Sequence, residues 1–235
     1  DAVAFAHAEG VVHRDLKPQN IMTGSFGEVL VLDWGLAILA EPGEDVTASA
    51  GGTPSYMAPE MIIPPYLLGS RCDIYLLGAI LFRFLTGEAP HAGESAKSCL
   101  KAVSLNEIIT PDADRLRELD PTGELLSVAL KAMATDPVDR YQTVREFQQA
   151  VREFEAHQES LKLAASAEAS LEAAEQSGDY TRYSESLFGF RQAVELWSGN
   201  TAAAAGIERS RQSYALCAEQ KEDFELGLSL LDEST

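Results

Sequence analysis

The sequence is poor in cysteine and in positive charge. Only Cys72, Cys99 and Cys217 occur in 235 residues, and an odd number at unpaired spacings excludes a disulfide framework and a cysteine-rich zinc site. That usage fits a reducing, cytoplasmic compartment. Lys and Arg total 18 against 37 Asp and Glu, a formal net charge of -19. A broad nucleic-acid or anionic-membrane surface needs clustered cations, so both are excluded as partners in favour of basic or neutral ones. Long apolar runs are also missing: none approaches the roughly 18 residues of a membrane span, and no signal-peptide pattern opens the sequence. The first residue is Asp1 rather than Met and helical pattern begins at once, which reads as a chain cut from something longer.

What is present divides in two. A chain of 235 residues has room for one medium domain and a smaller one, each with its own core. Prolines punctuate the first part, at Pro90, Pro111, Pro121 and Pro137 among others, whereas beyond about Glu155 there are none and Ala is abundant. The expected division is therefore 1–155 and 156–235. Residues 1–9 read as the end of an amphipathic helix with Gly10 as its stop. The apolar stretches 11–12, 21–22 and 29–32 read as short strands, and 21–22 with 29–31 as a hairpin across Gly24 to Gly27. Residues 40–59, rich in Gly, Pro, Ser, Thr and acid, read as a long surface loop of the kind that carries function. Helical patterns follow at 73–85, 95–103, 123–134 and 143–157, then onward to the end with breaks at 177–179 and 198–200. The expected fold is mainly α with one small β-hairpin, followed by an all-α tail.

Five motifs stand in order in the first part. His13-Arg14-Asp15-Leu16-Lys17-Pro18-Gln19-Asn20 resembles the catalytic loop of protein kinases, and Asp33-Trp34-Gly35 the metal-binding tripeptide that follows it, with Trp in place of Phe. The run from Gly51-Gly52-Thr53 to Ala58-Pro59-Glu60 resembles the end of an activation segment. Arg71-Cys72-Asp73 and Asp136 to Tyr141 stand where that family places a buried Asp and a buried Arg. Singly, such pieces are ordinary turns and helix starts; their order over 1–155 carries the resemblance to eukaryotic-like bacterial Ser/Thr kinases.

That resemblance implies the C-terminal lobe of a kinase, α+β when complete, which transfers the γ-phosphoryl of ATP to protein hydroxyls. Asp15 would be the base that takes the hydroxyl proton and Lys17 the charge stabiliser, a Lys there marking Ser/Thr rather than Tyr specificity. Asn20 and Asp33 would bind the cofactor and ligate Mg2+. The expected hairpin supports this pair independently, because the residues just outside its two ends come back side by side and offer oxygen ligands to a hard cation. Thr53 would help form the substrate shelf, Asp73 would accept catalytic-loop amides, and Glu60 would pair with Arg140. Thr47 and Ser49 are candidate phosphorylation sites, with Arg14 as the residue that would meet the phosphate. Gly24-Ser25-Phe26-Gly27 imitates a nucleotide-binding glycine loop but falls where the hairpin needs its turn. The true glycine-rich loop and its lobe would lie upstream of Asp1, so this piece alone is expected to be inactive. His13 reads as a packing and hydrogen-bonding residue, and Cys72 and Cys99 as small core side chains.

In the tail, Gly178-Asp179-Tyr180, then Phe190, Ala193, Leu196 and Gly199-Asn200, resembles the second half of a tetratricopeptide repeat, which would bind a protein partner. Asp223-Phe224 repeats Asp179-Tyr180 after 44 residues, against roughly 34 for that repeat; a plain helical hairpin is the alternative. Repeats bury their faces by stacking, which points to more of them beyond Thr235; the resemblance to bacterial kinases leaves open whether a membrane anchor follows as well. A competing reading of the whole is a non-catalytic kinase-like scaffold; it conflicts with the presence of Asp15, Lys17, Asn20 and Asp33 together.

Overall fold

The computed structural model describes residues 1–232, which form two compact units dividing between Val151 and Arg152. In chain order the first unit has α1 (Ala2–Ala8), β1 (Val11–Val12), β2 (Ile21–Thr23), β3 (Val29–Val31), β4 (Ile38–Leu39), β5 (Val46–Thr47) and β6 (Leu67–Leu68), then α2 (Ser70–Thr86), α3 (Ala96–Ser104), α4 (Ala113–Leu119) and α5 (Glu124–Ala132). The helix α6 (Val144–Ser177) contains the division. α7 (Tyr180–Leu196), α8 (Thr201–Gln220) and α9 (Phe224–Asp232) belong to the second unit. Among the described residues no helix is long and apolar enough to cross a membrane.

The centre of the first unit is α2. Cys72, Ile74, Tyr75, Leu76, Ala79, Ile80 and Phe82 are all buried, so the helix is apolar on most of its circumference and is enclosed by its neighbours. It stops at Gly87, whose left-handed φ of 83° lets its N–H return to the Arg83 carbonyl at 2.9 Å. Gly78 sets how near α5 comes: a Cβ there would lie 2.6 Å from the Ala132 methyl, so only glycine permits this crossing.

The strands are all antiparallel pairs. β2 and β3 pair Ile21 with Val31, Met22 with Leu30 and Thr23 with Val29, and Gly27 turns the hairpin at φ 86°. Leu32 N–H bonds the Asn20 carbonyl at 2.8 Å, continuing the ladder one step to the residue before Asp33. β1 pairs with β4 and so fastens the chain before the catalytic loop to the chain after Asp33-Trp34-Gly35.

Two features depart from expectation. The segment expected as a loop over 40–59 holds β5, paired with β6 through Val46–Leu68 and Thr47–Leu67; two-residue pairings leave no periodicity to read. α4 arises over 113–119 because Asp112 caps the N–H groups of Asp114 and Arg115. The helical pattern at 143–157 and its continuation to the expected break at 177–179 form one helix that ends at Ser177, since no Gly or Pro interrupts it.

In the second unit the breaks occur where glycine and Asx residues stand. Gly178 takes φ 66°, Asp179 caps α7 through Thr181 N–H at 2.9 Å, and Asn200 caps α8 through Ala203 N–H at 3.0 Å. The core gathers Leu171, Ala174, Tyr183, Phe190, Ala193, Ala203 and Tyr214. Gly206 is required here too, because a Cβ would fall 2.4 Å from the Phe190 ring.

Candidate catalytic site

The loop between β1 and β2 leaves Asp15 buried, only 7% exposed. Its Oδ2 accepts from Lys17 Nζ at 2.7 Å and from Asn20 Nδ2 at 3.3 Å, and its Oδ1 accepts from the Thr53 hydroxyl at 2.7 Å. Lys17 Nζ also donates to Thr53 Oγ1 at 2.7 Å. Ammonium, hydroxyl and carboxylate thus close a ring of charge-assisted bonds around a buried carboxylate, and burial strengthens such contacts. Gly52, at φ 133° and with Met57, Met61 and the Arg14 carbonyl within 3.2 Å of any added Cβ, lets the chain bring Thr53 in.

The loop is held from beneath. Asp73, fully buried on α2, accepts His13 N–H at 2.7 Å and Arg14 N–H at 2.8 Å, and Arg14 adopts φ 71°, a left-handed conformation that needs such anchoring. A third donor on Asp73 is His7 Nε2 at 2.8 Å. The sequence reading passed over His7; its signal is that it shares the buried face of α1 with Val3, four residues earlier. His13 Nδ1 accepts from Asp15 N–H at 3.2 Å, so Nε2 carries the proton and donates to the Leu32 carbonyl at 3.0 Å. The Trp34 ring lies 4.6 Å from the His13 ring, and its indole N–H bonds the Val31 carbonyl.

Asp33 follows β3 with φ 60° and is exposed. Its carboxylate has no hydrogen-bond or ion-pair partner among the described residues; a Cβ at Gly35 would sit 3.2 Å from its Oδ1. Asn20 spends its amide nitrogen on the Asp15 carbonyl at 2.9 Å and on the Asp15 carboxylate, which leaves its amide oxygen as a donor atom for a ligand.

Glu60 and Arg140 meet in two bonds of 2.6 and 2.8 Å. Arg140 stands over the Tyr75 ring, 4.9 Å from its centroid. The Tyr75 hydroxyl in turn contacts His91 Nε2 at 2.7 Å and Asn106 Oδ1 at 2.6 Å, and burial raises its pKa. Burial also pushes the Cys72 thiol up, with Asp73 and Glu60 adding to the effect, so it stays neutral. Thr47 and Ser49 are exposed. They stand differently towards Arg14: the guanidinium reaches the carbonyls of Ser49 and Leu36, while Thr47 lies in β5. The Arg14 Nε is buried without a partner.

With this geometry in place, comparison with known proteins assigns the chain: residues 1–159 match the protein kinase domain, and the chain belongs to that family. Among similar proteins are the Serine/threonine-protein kinase PknB of Mycolicibacterium smegmatis, 39% identical over 148 residues, and PknB of Mycobacterium tuberculosis, 38% identical over 148 residues; each match covers 62% of this chain and 23% of the relative. The Serine/threonine-protein kinase PknD of Chlamydia trachomatis serovar D is 32% identical over 177 residues, 65% of this chain and 18% of that protein. The chain thus spans about a fifth of the length of the curated relatives it matches.

Proposed function

We propose that this chain supplies the catalytic lobe of a Ser/Thr protein kinase that moves the γ-phosphoryl of ATP onto hydroxyls of protein substrates. The observation that carries this reading is the ring of Asp15, Lys17 and Thr53, beside an Asp33 carboxylate that has no partner among the described residues. Asp15 orients the substrate hydroxyl and takes its proton. Lys17 offsets charge on the phosphoryl group in transit, and Thr53 shapes the shelf on which the substrate lies. Asp73 fixes the loop, and the Glu60–Arg140 pair fixes the far end of the activation segment.

The free oxygens of Asn20 and Asp33 are hard ligands that suit Mg2+. Among the described residues no three His, Cys, Asp or Glu side chains gather into a metal cage, so the remaining ligands would be phosphate and water oxygens. When bound, Mg2+ and ATP supply the phosphoryl group and neutralise its charge.

In the full-length protein, Asp15→Asn is expected to lower phosphate transfer to a generic basic protein by roughly 10²–10⁴-fold with the fold intact; unchanged turnover would overturn the assignment. Of the two candidate phosphosites the contacts favour Ser49, because the Arg14 guanidinium already reaches its backbone. Phosphopeptide mapping after incubation with ATP is expected to find Ser49 modified, and a fully active enzyme with an unmodified loop would refute this. The tail is read as a tetratricopeptide-like module for a protein partner, and the setting as cytoplasmic.

A further inference from the structure

The turn that ends α6 recurs after 44 residues. Gly178 has φ 66° and Glu222 has φ 64°; Asp179 caps Thr181 N–H at 2.9 Å and Asp223 caps Leu226 N–H at 3.3 Å; Ala174 and Ala218 are both fully buried. The α6–α7 hairpin and the α8–α9 hairpin therefore superpose in sequence at that offset. The first of them already carries a helix on its face, and that helix is α8. Arg209 bonds Glu168 at 2.6 Å, the Ser213 hydroxyl bonds Glu175 at 2.6 Å, and the Tyr214 ring lies 5.0 Å from Tyr183 and 5.2 Å from Tyr180.

Advanced by 44 residues, Glu168, Glu175 and Tyr180 become Gln212, Glu219 and Phe224. All three line a groove of about 500 Å³ between α8 and α9. Four further lining positions have changed character: Glu172 and Ser184 of the first hairpin correspond to Leu216 and Leu228, while Leu171 and Tyr183 correspond to the smaller Ala215 and Gly227. Leu216, Phe224 and Leu228 are 57%, 62% and 64% exposed. The surface that holds a helix in the first hairpin is thus repeated in outline in the second, with its polar Glu172 and Ser184 positions made apolar and with the Tyr183 position emptied to Gly227, which leaves room for a side chain of an incoming helix. No Lys or Arg lines it; Glu219 is in the wall, and Glu222 and Glu225 stand in and just after the turn. A second copy presenting the same face would bring acidic rims together, whereas a helix flanked by cations would complement them.

We propose that the α8–α9 groove docks an amphipathic α-helix of another polypeptide, packed as α8 packs on α6 and α7, with a small or apolar stripe inward and Lys or Arg at its flanks. The proposal is independent of phosphate transfer. The probe is a fluorescein-labelled peptide of residues 201–220 carrying Glu208→Lys, Glu219→Lys and Cys217→Ser, titrated with the 235-residue chain in fluorescence anisotropy. Saturable binding is expected, weakened roughly tenfold or more by Leu228→Glu or by Leu216→Gln in the chain, and unaffected by Phe84→Glu, an exposed site in the first unit. A peptide with Arg209→Glu and Arg211→Glu and no added Lys is expected to bind roughly tenfold more weakly or worse. Absence of saturable binding, equal binding of the two peptides, or indifference to both groove variants would overturn the proposal. So would self-association of the chain in sedimentation that Leu228→Glu abolishes, since it would give the groove to a second copy.

Discussion

Arg140 has a fully buried side chain, and all five of its N–H donors are spent: on both Glu60 oxygens and on the carbonyls of Arg71, Ala134 and Thr135. Removing it would take these donors from Glu60 and three carbonyls at once. Arg140→Ala is therefore expected to lower stability by about 3–5 kcal/mol, read as a fall in denaturant midpoint. Lys cannot reproduce the planar fork, so Arg140→Lys should recover only a small part. His91 gives a pH dependence. Burial lowers its pKa from the ordinary 6.5, so the unfolded chain binds a proton more readily than the folded one. Stability from this group is complete above pH 6.5 and declines as pH falls from there through the folded-state value. Urea titrations across that window should show the decline and a His91→Gln variant should lack it. Asp15, Lys17 and Asn20 were legible because one short loop carries them all. Thr53 lies 38 residues from Asp15 and Glu60 lies 80 from Arg140, so only the family resemblance could join those pairs. For His7 only its place on the buried face of α1 was legible; its partner Asp73 is 66 residues away and nothing in α1 announces that pairing.

Among the elements, those with a strong period or a stop signal were legible, and those built from two-residue pairings were not. The β2–β3 hairpin could be read from apolar runs flanking a glycine turn, and α2 from its dense apolar sequence. β5 with β6 could not, since the pairing of Val46 with Leu68 and Thr47 with Leu67 leaves no alternation to detect. The end of α6 was legible from Ser177-Gly178-Asp179, and its crossing from one unit to the next is a continuous run of helix formers. The close approach of α7 and α8 rests on Gly206, where any Cβ meets the Phe190 ring. Gly206→Ala is expected to cost about 1–3 kcal/mol by overpacking, seen as a lower melting temperature for the second unit. At the repeated turn, Glu222 holds a left-handed φ of 64° that glycine adopts without steric penalty. Glu222→Gly should be neutral or slightly stabilising there, whereas Gly178→Val should cost about 1–2 kcal/mol.

Each unit of the whole molecule has its own core: one around α2 with Leu16, Met61 and Met133, the other around Phe190 and Tyr214. Separate cores unfold separately unless a large interface couples them. Calorimetry should therefore resolve two transitions, with Arg140→Ala shifting only the first unit's and Gly206→Ala only the second's. The net charge of -19 sets the character of partners for both, since an acidic protein meets basic substrates and basic helices faster than acidic ones. The central claim is the proposal that Asp15, Lys17 and Thr53, with Asn20 and Asp33 as the proposed Mg2+ ligands, direct phosphate onto aliphatic hydroxyls. It is tested most directly by incubating the full-length protein and its Asp15→Asn variant with γ-labelled ATP, Mg2+ and a basic protein, followed by phosphoamino-acid analysis. The account expects label in phosphoserine and phosphothreonine, none in phosphotyrosine, and its loss in the variant. Label in phosphotyrosine, or equal label with Asp15 replaced, would contradict it.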